Sequence, residues 1–196
     1  SSFIVRIATI NDGVLEGHET IRVSAATPQN ATAVVGTGTI TDGAVPTISL
    51  SGAPEVNEAA GTVTYTVTLS AASAASVSVN YGTANGSATA GSDYTATSGS
   101  VTFAPGETTK TFTVGINNDT VYEGAETYTV NLSTPTNATI ATGSVTTTIR
   151  DDGTGTGGNN DDRLTVTSVS SPTVGEGGNL DFTVNLSGTS TTATTV

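Results

Sequence analysis

An acidic pattern occurs twice in this chain at identical internal spacing. The first copy reads Asn11-Asp12-Gly13-Val14-Leu15-Glu16-Gly17-His18-Glu19-Thr20. The second reads Asn118-Asp119-Thr120-Val121-Tyr122-Glu123-Gly124-Ala125-Glu126-Thr127, 107 positions later. A fixed period that long within 196 residues means tandem copies of one module. On both sides of each copy, apolar residues alternate with Thr, Ser and Arg. That is the period of a strand with one buried face. The chain is therefore constrained to short strands joined by acidic loops that recur at one place in each module.

Composition agrees with thin sheets. Hydrophobic residues make up 35%, with five Tyr, four Phe and no Trp, so each core must be small. Low hydrophobicity and a net charge of −12 also suit disorder, but the regular alternation argues against it over most of the chain. There is no cysteine, so no disulfide supports the fold, and a bound metal is a candidate staple for a weak core. No run of about 18 apolar residues is present, so no membrane insertion is expected in this segment. Five basic residues against 17 acids argue against nucleic acid or an anionic membrane as partner. An acidic surface points to cations instead.

Read in order, residues 3–10, 20–24 and 33–40 alternate as three strands. Three strands with one apolar face are barely a domain, so residues 1–43 are expected to be the C-terminal half of a module. Residues 46–153 read as a complete one. Strands are expected at 47–50, 62–69, 75–81, 99–103, 109–116, around Tyr128-Thr129-Val130-Asn131-Leu132, and as one long last strand over 138–149. Residues 82–97 read as a loop. Val63, Tyr65, Val67 and Leu69 share one face, and Val77, Val79, Tyr81, Phe112, Val114 and Ile116 also point inward. About seven short strands with turns every 8–12 residues predict an all-β antiparallel sandwich. Residues 154–161 read as a Gly-rich linker. Residues 162–196 read as the N-terminal part of a further module, because Val174-Gly175-Glu176 matches Val56-Asn57-Glu58 and Phe182-Thr183-Val184 matches Tyr65-Thr66-Val67.

In the complete module the acids gather at strand junctions. Glu58 precedes a strand, Asp93 follows a Gly in a long loop, Asp119, Glu123 and Glu126 lie in the repeated motif, and Asp151 and Asp152 end the last strand. Connections at one end of an antiparallel sandwich can meet. At about 6 Å and an effective dielectric near 20, each pair of carboxylates repels by roughly 3 kcal/mol. A cation turns that repulsion into attraction. Oxygen donors without His or Cys select a hard ion, and the number of oxygens suits calcium better than magnesium. For a single turn acid, a solvated surface position is the better reading. The whole set is read as a calcium site because the motif repeats and 12 of the 17 acids fall at its positions or their counterparts.

These residues carry a family resemblance. Val56-Asn57-Glu58, Ala90-Gly91-Ser92-Asp93-Tyr94, Val101-Thr102-Phe103-Ala104-Pro105-Gly106-Glu107, Asn118-Asp119 through Glu126-Thr127, and Ile149-Arg150-Asp151-Asp152 together resemble a Calx-beta domain, as in sodium/calcium exchangers, integrin β4 and bacterial surface proteins. The resemblance implies an immunoglobulin-like Greek key with calcium at one end. It implies Glu58, Asp93, Asp119, Glu123, Asp151 and Asp152 as ligands, with Glu126 a further ligand or just behind them. Asp12, Glu16, Glu19 and Asp42 repeat the pattern in the first copy, and Glu176 in the third. Asn118, Thr120, Gly124 and Ala125 stand where the exchanger sensors carry acids, which implies fewer ions per module and weaker binding.

The expected function is a structural extender of a large extracellular or bacterial cell-surface repeat protein, an adhesin or fibre. Calcium would rigidify module ends, and the partners would be neighbouring modules or other copies of the chain in a fibre. The alternatives are a calcium-regulated binding or sensor module and an accessory domain of a secreted enzyme. No catalysis is expected. His18 is the only histidine, its counterpart is Ala125, and no Ser/His/Asp set, phosphate loop or basic-aromatic stripe is present.

Overall fold

The computed structural model describes residues 3–10, 18–41 and 45–195. Strands run, in chain order, as β1 (Glu19–Thr27), β2 (Asn30–Ile40), β3 (Thr47–Ser51), β4 (Glu55–Asn57), β5 (Thr62–Leu69), β6 (Val77–Asn85), β7 (Ser98–Phe103), β8 (Thr109–Gly115), β9 (Val121–Tyr122), β10 (Glu126–Thr136), β11 (Thr139–Thr142), β12 (Ser144–Arg150), β13 (Val166–Val169), β14 (Val184–Leu186) and β15 (Thr189–Ser190). The only helical element among the described residues is a single 3-10 turn, Glu58–Ala60. No helix of the described residues is long and apolar enough to cross a membrane.

The complete module is an all-β, immunoglobulin-like sandwich. One sheet has the order β4-β12-β10-β6-β7 and the other β11-β3-β5-β8. The alternation in β5 places Val63, Tyr65, Val67 and Leu69 inward and leaves Thr62 and Thr64 in solvent. Val77, Val79, Val101, Phe103, Val114, Tyr128 and Val130 meet them from the other strands. Tyr81 and Phe112 lie at the edge of this core, half-buried, with rings stacked at 3.8 Å. At the centre, buried hydroxyls satisfy one another. Tyr65 Oη donates to Tyr128 Oη at 2.9 Å and lies 2.6 Å from Thr147 Oγ1, which donates to Ala53 O at 2.8 Å.

Three expectations are corrected. The long last strand over 138–149 is two strands. β11 pairs in parallel with β3 in one sheet, whereas β12 pairs with β10 and β4 in the other. Gly143 stands at the change, where an added Cβ would lie 2.7 Å from Ile140 Cγ2. The loop at 82–97 starts later than expected, because β6 continues to Asn85 along β10. Residues 3–10 form no strand. They align with β8, whose ladder partner is β5, and no strand among the described residues pairs with them. Their apolar side chains are bare, with Phe3, Ile4 and Ile10 at least 83% exposed.

β1 and β2 form an antiparallel hairpin that aligns Glu19 with Ile40, as β10 and β12 align Glu126 with Ile149. In the C-terminal part only β13 and β14 pair, and Val174, Leu180 and Phe182 remain exposed. β15 adds in parallel to β9.

Candidate metal centre

The acidic residues are brought to one end of the sandwich by four separate connections. Glu58 opens the 3-10 turn after β4, capped by Asn57 Oδ1, which accepts from Ala59 N at 3.0 Å. Asp93 lies in the loop between β6 and β7, held from three directions. Its Oδ2 accepts from Thr89 N at 2.6 Å, its N donates to Thr89 O at 3.0 Å, and its carbonyl accepts from Asn117 N at 3.0 Å. Tyr94, fully buried, stacks on Tyr128 at 4.5 Å and anchors that loop to the core. Asp119, Glu123 and Glu126 come from the repeated motif around β9. Asp151 and Asp152 follow β12.

Three of these carboxylates converge. Asp93, Glu123 and Glu126 each offer an oxygen within 4.8 Å of the other two. Oxygens bound to one calcium ion at about 2.3–2.6 Å lie no more than about 5 Å apart, so the trio has the spacing of a shared ion. Glu58 and Asp151 line the same cleft. Glu58 Oε1 accepts from Asp119 N at 2.7 Å, and Asp151 Oδ2 accepts from Glu123 N at 2.6 Å. Their second oxygens, Glu58 Oε2 and Asp151 Oδ1, are buried and have no hydrogen-bond partner. A buried carboxylate oxygen left unpaired is costly. A cation at that point would satisfy both, and the all-oxygen donor set fits a hard ion.

The electrostatics tell the same story. Burial pushes the Glu58 carboxyl up to about 7, aided by the charges of Asp119, Asp151 and Asp162 and opposed by the Asp119 amide. Burial, then the adjoining Asp93, pushes Glu126 up to about 7. Glu123 and Asp151 are raised by burial as well. Carboxyls held this far above their ordinary range mark a site that lacks positive charge. Both nearby arginines are engaged elsewhere: Arg150 Nε lies 2.7 Å from Glu55 and Arg163 Nη2 2.6 Å from Asp161.

The remaining expected site residues are placed differently. Asp119 is exposed and turns its Oδ1 to Val121 N at 2.7 Å, although its charge reaches Glu58 and Glu123. Asp152 is occupied by Thr154, whose N and Oγ1 both donate to its Oδ1, and its carboxyl is held below the usual range. It lies 4.0 Å from Arg150 Nη1. Glu19 and Glu176 are exposed, and the converged trio does not include them. Asp12, Glu16 and Asp42 lie outside the described residues.

Sequence reasoning missed Asn57, Asn160 and Asp162. The Gly-rich segment, read as a slack linker, is hydrogen-bonded to β4 and brings Asn160 and Asp162 to this end. Asn57 is fully buried and binds it with both ends of its side chain. The glycines serve close approach. A Cβ on Gly155 would lie 2.5 Å from the Val56 carbonyl carbon, and one on Gly158 2.8 Å from Asn57 Oδ1. The polar run Asn159-Asn160-Asp161-Asp162 directly after the glycines was the available signal.

A Calx-beta domain model matches residues 42–153, more than half of the chain. The chain belongs to the Calx-beta family. Sodium/calcium exchanger 3 of Homo sapiens is 51% identical over 55 residues, which are 28% of this chain and 6% of the exchanger. Sodium/calcium exchanger 1 of Canis lupus familiaris is 49% identical over 57 residues, 29% of this chain and 6% of the exchanger. The chain thus spans a small fraction of the length of these curated relatives. Among solved structures, CBD12 from CALX1.2 superposes with a TM-score of 0.52 at 24% identity, covering 62% of this chain and 49% of that one. That likeness is one of fold. The apo-form Calx CBD1 domain gives a TM-score of 0.47 at 26% identity, covering 54% of this Calx-beta chain and 98% of that one.

Proposed function

We propose that this Calx-beta chain binds calcium at the acidic end of its complete module and serves as a structural extender in a longer repeat protein, an extracellular or bacterial surface fibre or adhesin. The observation that carries the calcium reading is the pair of buried, unpartnered oxygens, Glu58 Oε2 and Asp151 Oδ1, beside the converged Asp93, Glu123 and Glu126. The extender reading is supported by the repeated motif, the absence of cysteine and the bland threonine faces of the outer strands. The bare apolar side chains at 3–10, β1, β2 and 164–186 call for partner strands, which neighbouring modules or other copies would supply. Extracellular calcium modules have dissociation constants of about 10⁻⁴–10⁻³ M. At ten times that concentration, binding adds about 1.4 kcal/mol per site.

The test is thermal melting and small-angle scattering with calcium and with chelator. Chelator is expected to lower the melting temperature by several degrees and to broaden the distribution of interatomic distances. Unchanged melting curves and profiles would sink the extender reading. The similarity to sodium/calcium exchangers favours a second reading, a calcium-sensing module. It would show as calcium-dependent capture of a partner domain from the same protein, with no change in extension.

A further inference from the structure

The two open pieces of this chain correspond to complementary halves of one sandwich. By the spacing of the shared motif, Val5 corresponds to Phe112, Ile7 to Val114, Ile21 to Tyr128 and Val23 to Val130. By the hairpin register, Ile40 corresponds to Ile149. Those counterparts belong to the core of the complete module or pack against it. Val5, Ile7, Ile21, Val23 and Ile40 instead line an open apolar groove. Residues 164–187 repeat the other half. β13 aligns Val166 with Leu186 and Val169 with Val184, as β3 aligns Ile48 with Leu69 and Leu50 with Val67. Leu180 and Phe182 correspond to Val63 and Tyr65, and Val174 to Val56. The module buries Val56, Val63, Tyr65 and Val67, whereas Val166, Val169, Val174, Leu180, Phe182 and Val184 are exposed.

Each piece presents strands that the other lacks. In the complete module β5 pairs with β8, joining Val63 to Val114, Thr64 to Thr113 and Tyr65 to Phe112. β4 pairs with β12, joining Val56 to Ile149. The same ladders drawn between the open pieces set Leu180 opposite Ile7, Phe182 opposite Val5 and Val174 opposite Ile40. They also set Asp181 opposite Arg6, at the two positions where the module has Thr64 and Thr113. Only five residues of the 196 are basic, so an arginine facing an acid in this one register is a specific match. Opposite charges at facing ladder positions favour the register, and like charges oppose it. β3 enters the sandwich beside Leu69, at the end of β5 away from the acids, and β12 leaves beside Asn57 at the acidic end. The open pieces are thus joined to opposite ends of the module, and a head-to-tail contact between copies brings them together.

We propose that a second copy of this chain fills the groove. Residues 164–187 of one copy lie on residues 3–40 of the next, with 180–184 adding antiparallel to 3–7 as β5 adds to β8. The exposed edges and apolar faces of both pieces are then covered. A contact between two different surfaces repeats from copy to copy, which builds a line of modules. The proposal rests on the extender reading and names its partner, and it makes no use of the calcium site.

Sedimentation velocity of the full 196-residue chain, run in chelator over a range of concentrations, tests this. The wild type is expected to form dimers and then longer species as concentration rises. Ile7→Asp and Leu180→Asp are each expected to stay monomeric alone. An equal mixture of the two should form dimers and stop there, because one variant keeps the donor piece and the other keeps the groove. Neither position belongs to the core, so the melting of the module should not change. Arg6→Glu and Asp181→Arg are each expected to weaken association about fivefold, and the chain carrying both should recover it. A wild type that stays monomeric overturns the proposal and leaves the extender reading to its own test of melting and scattering with calcium. Association that persists in Ile7→Asp, a mixture that does not dimerise, or a charge exchange that restores nothing also overturns it.

Discussion

Glu58 and Glu126 set the pH behaviour of the site. Both are pushed up to about 7 when folded, chiefly by burial, whereas an unfolded glutamate titrates near 4.3. Between those values the folded chain holds protons that the unfolded chain has released. The stability of the metal-free chain is therefore full below about pH 4.3 and is lost as pH rises toward 7. The loss runs at up to about 1.4 kcal/mol per pH unit for each group. Calcium competes with the same protons, so its affinity rises over the same window. Melting in chelator is expected to fall from pH 5 to about pH 7 and then level off, and in millimolar calcium this fall should largely vanish. A chelated melting temperature that rises over that range would contradict the burial of these carboxyls. The acids that converge were visible in the sequence through the repeated motif and the Gly91-Ser92-Asp93 step. Asn57 and Asn160 were not. Their roles depend on bonds between residues 103 positions apart, such as Asn160 N to Asn57 Oδ1, and no local pattern encodes that return.

At the scale of elements, period-two alternation identified nearly every strand of the complete module but could not assign each to a sheet. β11 and β12 continue one alternating run, yet they pair on opposite sides of the sandwich. β3 and β4 divide in the same way, one in each sheet. A buried face looks the same in sequence whichever sheet presents it, so only the Gly143 and Gly52-Ala53-Pro54 interruptions hint at the crossings. Residues 3–10 show the opposite limit. They alternate as well as β8 does, but a strand forms only where a ladder partner exists. The Gly-rich segment joins this set as an element held to β4 by the Asn57 side chain and by the bonds of Thr156 to Asn57 N and Glu55 O. Asn57→Ala removes its donors and acceptor and leaves Ala59 N, Asn160 N and two carbonyls without that partner. Urea unfolding is expected to show a loss of about 2–3 kcal/mol, with rapid hydrogen exchange over 153–160. A variant as stable as the wild type would mean that water replaces the side chain at no cost.

At the scale of the molecule, the chain divides into one closed sandwich and two open pieces. Among the described residues, the core is drawn from residues 48–149, whereas the large apolar side chains left in solvent belong to residues 3–35 and 166–184. Stability should therefore reside in the complete module. A chain trimmed to residues 46–163 is expected to melt within about 2 °C of the full chain in calcium, as read by circular dichroism. A drop of ten degrees would show that the open pieces support the module. The repeated motif suggests that the open pieces belong to further modules, but it does not say what completes them, since an alternating strand names no partner.

The central claim is that the acidic end of this Calx-beta module holds calcium, and calorimetric titration of the full chain at pH 7.4 tests it most directly. The account predicts saturable binding at about 10⁻⁴–10⁻³ M, strongly weakened by Asp93→Asn with Glu123→Gln and unaffected by Glu107→Gln, whose carboxylate pairs with Lys110. No saturable binding in the wild type, or equal binding in the double variant, would contradict it.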